Sequence, residues 1–244
     1  MNFDSVHTVW LDLDDTLIDF TAIAADALGT MWHTEQVLRS HFPTPEVWAE
    51  IYEKHNMQLW AQYSRGEITR QYLRAERFSR PLIEGGVSSE EAAELSRRFD
   101  TIYLDLLARG KTLMPGAMEL LRCLRRHHFT IGILSNGFKE VQFRKIRTAG
   151  LEPYIDIVVL SDDIDINKPD PRLYAYAMQR VGDTDPCRHL MIGDNPDTDI
   201  AGAIAAGWPA IWYDTGRLHS QAPAGAARVT ALSEILPLLN LLKK

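Results

Sequence analysis

The stretch VWLDLDDTLID, residues 9 to 19, places four acids at the end of a run that otherwise has the composition of a buried strand. Asp12 and Asp14 are two residues apart. In an extended chain their side chains leave on the same side, with Cα atoms ~6.6 Å apart at about 3.3 Å per residue. Carboxylates held that close raise each other's pKa unless a cation shares the site. Either the strand simply runs into an acidic turn, or the acids are kept for chemistry, and the rest of the chain has to decide between the two.

Beyond residue 19 the pattern changes to a helical period for about ninety residues. Phe20, Ile23, Ala24, Ala27, Leu28, Met31 and Trp32 fall on one helical face. Val47, Trp48, Ile51, Tyr52, Leu59, Trp60 and Tyr63 form a second such segment. A third opens at SSEE, where Ser88 with Glu91 suits a capping box, and carries Ala92, Leu95, Phe99, Ile102, Tyr103 and Leu106 inward. From Pro115 the chain alternates. PGAMELLRCLRRHH reads as helix, FTIGILSN as strand, GFKEVQFRKIRTAG as helix, IDIVVLSDD as strand, DPRLYAYAMQRVG as helix, HLMIGD as strand, DTDIAGAIAAG as helix and AIWYDTG as strand. Such alternation implies an α/β domain, a Rossmann-like parallel sheet with helices on both faces. The expected organisation is a core of residues 1–18 and 111–244 interrupted by an all-helical cap over 19–110.

The bulk numbers limit the function. With 244 residues, 45% hydrophobic and 24% charged, the composition is that of an ordinary globular chain. A net charge of −7 with no long basic run argues against nucleic acid or an anionic membrane as partner. A phosphorylated substrate would need local cations. Cys123 and Cys187 lack a CxxC spacing and the eight histidines lack zinc-type spacing. No apolar run approaches ~18 residues and the N-terminus lacks a signal-peptide pattern, so a cytoplasmic protein is the expectation.

In open parallel sheets ligands bind beyond the carboxyl ends of the strands. Those ends deliver Asp12 and Asp14, then Ser135-Asn136, then the loop holding Lys168, then Asp194. Each has an ordinary explanation as turn, solvated lysine or helix lead-in. Together they bring acids, a hydroxyl and an ammonium to one edge of one expected sheet. DLDDT, LSNG, NKPD and GDNPDTD, in that order, resemble the four motifs of the haloacid-dehalogenase-like hydrolase superfamily, and the helical insertion resembles its C1-type cap.

The resemblance implies a magnesium-dependent phosphomonoester hydrolase. It assigns Asp12 as nucleophile, and a carboxylate is chemically able to attack a phosphate ester and form an acyl phosphate. Asp14 would protonate the leaving alkoxide and later deprotonate a water. Magnesium would be held by Asp12, Asp194 and the backbone carbonyl of Asp14. Ser135, with Asn136 and Thr16 as further substrate-side residues, would hold the phosphoryl group, Thr16 also fixing the turn beyond Asp14. Lys168 would neutralise charge as nucleophile and phosphoryl group meet. Asp199 would orient Lys168 or a metal-bound water, and Asp197 suits a helix cap. Asp15 and Asp19 fit either flap contacts or solvation.

Asp14 separates phosphatases from haloacid dehalogenases, which lack an acid at that position because a carbon–halogen bond needs no protonated oxygen leaving group. A phosphomutase uses the same acids but needs a phosphate-gripping cap, which these apolar faces do not suggest. A catalytically silent binding module would not need a complete motif set. The stretch NMQLWAQYSRGEIT, residues 56 to 69, resembles the cap of the YjjG-type pyrimidine 5′-nucleotidase subgroup in Asn56, Leu59-Trp60, Tyr63, Gly66 and Ile68-Thr69. A small phosphorylated metabolite is the expected partner, a nucleoside 5′-monophosphate first and a sugar phosphate or phosphoamino acid as the alternative. Trp48, Tyr52, Trp60 and Tyr63, at helical spacing, suit cap core as readily as base stacking.

Overall fold

A computed structural model of the chain describes residues 3–218 and 223–241. In chain order the main elements are β1 (Thr8–Leu11), α1 (Phe20–Thr34), α2 (Gln36–His41), α3 (Pro45–Ser64), α4 (Arg70–Glu84), α5 (Ser89–Arg109), α6 (Ala117–Arg126), β2 (Thr130–Ser135) and α7 (Lys139–Thr148). They continue with β3 (Ile157–Leu160), α8 (Pro171–Val181), β4 (His189–Gly193), α9 (Ala201–Ala205), β5 (Ala210–Tyr213), β6 (Ala227–Val229) and α10 (Ile235–Leu238). The chain divides into two compact units, one of residues 1–20 and 111–244, the other Thr21–Gly110.

The first unit is an α/β domain whose six strands run parallel in the order β3-β2-β1-β4-β5-β6. Every residue of β1, β4 and β5 is buried. Continuous apolar strands of this kind are what a parallel sheet covered on both faces requires. On one face Trp10, Leu134, Val159, Met191 and Trp212 pack with Leu173, Tyr174 and Ala177 of α8 and with Ala203 of α9. The chain leaves β1 to one side for β2 and β3, then returns to its other side for β4, so the sheet reverses direction at β1. Such switch points leave a crevice outside the strand ends. The sixth strand, β6, is only three residues long at the sheet edge and carries too little periodicity to be read from sequence.

The second unit is all-helical. Thr44, Thr69 and Ser88 each cap the helix that follows by accepting a backbone N–H, from Val47, Tyr72 and Glu91 respectively. Sequence periodicity misses α4, because RQYLRAERFSRPLIE is dense in charge and contains Pro81. What makes it a helix is tertiary: Leu73, Phe78 and Leu82 are buried on the face that meets α3 and α5. Trp48 and Tyr52 are fully buried and join Phe78 and Tyr103 in one aromatic cluster, with the Tyr52 and Phe78 centroids 4.8 Å apart. Those two rings are therefore cap core. Among the described residues no helix is long and apolar enough to cross a membrane.

Arg77 lies inside this cluster, its guanidinium 5.4 Å from the Tyr103 ring centroid, and its Nε donates to Asp100 Oδ1 at 2.7 Å. Arg74 donates to the other oxygen of Asp100 at 2.6 Å. Removing one partner of a buried pair costs ~3–5 kcal/mol, whereas replacing both with apolar groups is often neutral. Asp100→Asn is therefore expected to cost about 3 kcal/mol in urea unfolding, and adding Arg77→Met should recover part of the loss.

Candidate active site

Strand register builds the site. Leu11 pairs with Ile133 on one side and Ile192 on the other, so the next residues, Asp12, Leu134 and Gly193, lie level at the carboxyl end of the sheet. The Asp12 N–H extends the ladder by donating to the Ile192 carbonyl at 2.9 Å. Lys168 enters this level from the loop after β3, and its ammonium spends three donors: 2.6 Å to Asp12 Oδ1, 2.6 Å to Asp199 Oδ1 and 2.8 Å to the Leu134 carbonyl. Lys168 and Asp199 are almost completely buried. Gly193 allows the close approach, since a Cβ there would collide with the Asp199 carboxylate.

Two expectations change at Thr16 and Asn136. Thr16 is fully buried; its hydroxyl accepts from the Asp194 N–H at 3.0 Å and donates to Asp194 Oδ1 at 3.2 Å. It holds Asp194, and its hydroxyl both donates and accepts there. Asn136 spends both ends of its amide on the backbone of Lys168, accepting from N–H at 2.7 Å and donating to C=O at 3.0 Å. It therefore clamps the lysine loop to the end of β2. Asp194 is secured again by the Trp212 indole, which donates to its carbonyl at 2.8 Å. Asp197 does not cap the helical turn that follows. Asn195 does, accepting from the N–H groups of Asp197 and Thr198. Asp15 and Asp19 are not merely solvated: Arg217 donates to both, at 2.8 Å to Asp19.

Asp12, Asp194 and Asp199 each offer a carboxylate oxygen within 4.8 Å of the others. Burial pushes Asp12 up to about 7, with Asp199 and Asp14 adding to the effect of burial and Lys168 opposing it. Burial likewise raises Asp194 well above the usual carboxylate range, followed by the charges of Asp199 and Asp12. Burial works against the Lys168 ammonium, but Asp12 and Asp199 outweigh it and hold the group charged. Three carboxylates against one ammonium leave a negative excess that a hard divalent cation would balance. Asp199 already accepts at both oxygens, from Lys168 and from the Asn195 N–H at 3.0 Å, which leaves Asp12 and Asp194 better placed as ligands.

Ser135 ends β2 with its hydroxyl almost buried, accepting from the Gly137 N–H at 3.1 Å and from the Gln142 amide at 2.8 Å. Asp14 is partly exposed and meets two residues absent from the expected site. Lys145 donates to its Oδ1 at 2.5 Å and Gln142 to its Oδ2 at 3.0 Å. A signal for them exists in the sequence. Phe138, Val141, Gln142, Lys145 and Ile146 share one helical face, so an amide and an ammonium interrupt an apolar stripe, and all five are buried.

A family model described as haloacid dehalogenase-like hydrolase matches residues 6–207. The chain belongs to the haloacid dehalogenase-like hydrolases. It is 32% identical over 240 residues to a pyrimidine 5′-nucleotidase, YjjG, of Escherichia coli, covering 97% of each chain. It is 32% identical over 213 residues to PynA of Streptococcus pneumoniae, also a pyrimidine 5′-nucleotidase, covering 86% of each. Among solved structures, the HAD-hydrolase YfnB of Bacillus subtilis, determined with bound magnesium, matches with a TM-score of 0.84 and 27% identity over 96% of this chain and 99% of that one. The YfnB match spans nearly the whole of both chains, so this hydrolase shares its overall fold with that structure.

The raised carboxyl groups define a pH effect. A folded pKa above the unfolded one gives stability that is full below about pH 4 and is lost as pH rises through the folded value, about 7 for Asp12. In the presence of a chelator the melting temperature should fall between pH 6 and pH 8. Added magnesium should raise it more at pH 8, and both effects should shrink in Asp12→Asn. Calorimetry at the two pH values checks this.

Proposed function

We propose that the chain hydrolyses phosphate monoesters through a phosphorylated Asp12, with nucleoside 5′-monophosphates, pyrimidines first, as its substrates. The observation that carries the chemistry is the set of groups at the carboxyl end of β1: the Asp12 carboxylate, a buried ammonium bonded to it and a second acid two residues on. Asp12 Oδ2 would attack phosphorus while Oδ1 stays bonded to Lys168, which limits charge build-up as two anionic groups approach. The P–O bond to the alcohol breaks, and Asp14 supplies the proton that the departing oxygen needs. Asp14 then takes a proton from water, the water attacks the acyl phosphate, and phosphate leaves with Asp12 restored. Ser135 donates to a phosphoryl oxygen. Magnesium, held by Asp12 and Asp194 with the Asp14 carbonyl, would supply further charge neutralisation at the phosphoryl group.

Relatives named for pyrimidine nucleotides support the substrate class, together with the cap stretch from Asn56 to Thr69. Within the cap, Trp60 and Tyr63 pack edge to face at 5.6 Å and are only partly buried, unlike Trp48 and Tyr52. They are the cap rings best suited to a base, and stacking of that kind is worth ~1–3 kcal/mol.

A phosphate-release screen with magnesium over nucleoside monophosphates, sugar phosphates and phosphoamino acids should rank UMP or a related pyrimidine nucleotide first. Preference for a sugar phosphate over every nucleotide would overturn the substrate class. Asp12→Asn should abolish turnover of all substrates. Asp14→Asn should slow UMP by on the order of a hundredfold and spare an aryl phosphate, whose leaving group needs little protonation; equal losses would remove Asp14 from its role.

A further inference from the structure

Gln142 and Lys145 sit one helical turn apart on α7, both about 2% exposed or less, on a face that its neighbours make apolar. A methionine at 145 would fill that space without the penalty of burying an ammonium. The lysine instead reaches Asp14 Oδ1 and, at 2.9 Å, Gln142 Oε1, with the Phe20 ring centroid 4.6 Å from its nitrogen.

The contacts fix the sense of every hydrogen bond in the group. An ammonium only donates, so the Gln142 atom facing Lys145 must be its carbonyl oxygen. The amide nitrogen then faces the other way, and its two protons go to Asp14 Oδ2 and Ser135 Oγ. Ser135 Oγ therefore accepts twice, from Gln142 and from the Gly137 N–H. A hydroxyl has two lone pairs and one proton, so what Ser135 has left to offer is its proton. A phosphoryl oxygen, which only accepts, is the partner that suits it. Gly137 belongs to the same construction, because a Cβ there would overlap the Gln142 amide.

We propose that Gln142 and Lys145 are positioning residues for phosphoryl transfer: Lys145 sets the orientation of the Gln142 amide, and the two together hold the Asp14 carboxyl and turn the Ser135 proton toward the substrate phosphate. The inference rests on the phosphatase reading above and extends it to two residues on α7. Each oxygen of Asp14 accepts one of these bonds, so the pair fixes the orientation of its carboxyl. No bond forms or breaks at Gln142 or Lys145.

The test uses the full chain and two substrates, UMP and 4-nitrophenyl phosphate, with Asp14→Asn as reference. Lys145→Met should lower kcat on UMP at least ~10-fold more than on the aryl ester, the same direction as Asp14→Asn and part of the ~100-fold or more that a positioned acid contributes. Gln142→Met should lower both rates and weaken competitive inhibition by inorganic phosphate several-fold. In a Ser135→Ala background that weakening should disappear, as expected for two residues acting through one hydrogen bond. Equal losses on the two esters for Lys145→Met, or a phosphate effect of Gln142→Met that persists without the Ser135 hydroxyl, would overturn the relay. If Lys145→Met does not fold, the Gln142→Met and Ser135→Ala cycle decides. Where Asp14→Asn distinguishes the esters and Lys145→Met does not, the relay alone fails; where Asp14→Asn itself does not, the acid–base reading fails and the relay with it.

Discussion

A buried ammonium bonded to two carboxylates organises the catalytic unit. Lys168 cannot be buried without acceptors, and Asp12, Asp199 and the Leu134 carbonyl supply them. Asp12 and Asp199, in turn, would repel each other at that depth without the lysine. Each contact draws in a further device: Asn136 clamps the lysine backbone, Gly193 makes room for Asp199, and Asn195 holds the turn that presents it. The strand ends are thus tied by ion pairs as well as by the sheet. Asp12 sits at the centre of that network, its position fixed by the fold itself.

Charge also explains why the site invites a cation. Desolvation raises Asp12 and Asp194, so as carboxylates they are held at a cost that one ammonium does not offset. A divalent ion would convert that unfavourable cluster into a binding site for a dianionic ester. A net charge of −7 gives no help at long range. Attraction for an anion would have to come from local donors and a bound cation. Gln142 and Lys145 fit this economy of charge, a second buried ammonium beneath the second acid.

The cap solves a different problem. Its aromatic cluster surrounds Arg77, paired with Asp100, and gives a small helical unit a core of its own. Trp48 and Tyr52 are committed to that core, which separates them from the partly exposed pair Trp60 and Tyr63. Helix α3 therefore divides its rings between the cap core and a partly exposed surface.

Much of this was legible in the chain itself. Alternating strand and helix, buried strands without polar alternation and the order of four short motifs determined the parallel sheet, the helical insertion and the residues at the strand ends, because these depend on local period and on which strand end a residue follows. Helix α4 and strand β6 were not legible, the first because its apolar face is diluted by charge and proline, the second because three edge residues carry no period. The hydrogen-bond partners were decided only by tertiary structure. Lys145 meets Asp14 across 131 residues of chain and Thr16 meets Asp194 across 178, and no local spacing specifies such pairs. The same holds for the division between binding and holding. Thr16 and Asn136 carry polar groups able to touch a substrate, and what assigns them to Asp194 and Lys168 is the set of hydrogen bonds they make there, which exist only once distant strand ends are brought together.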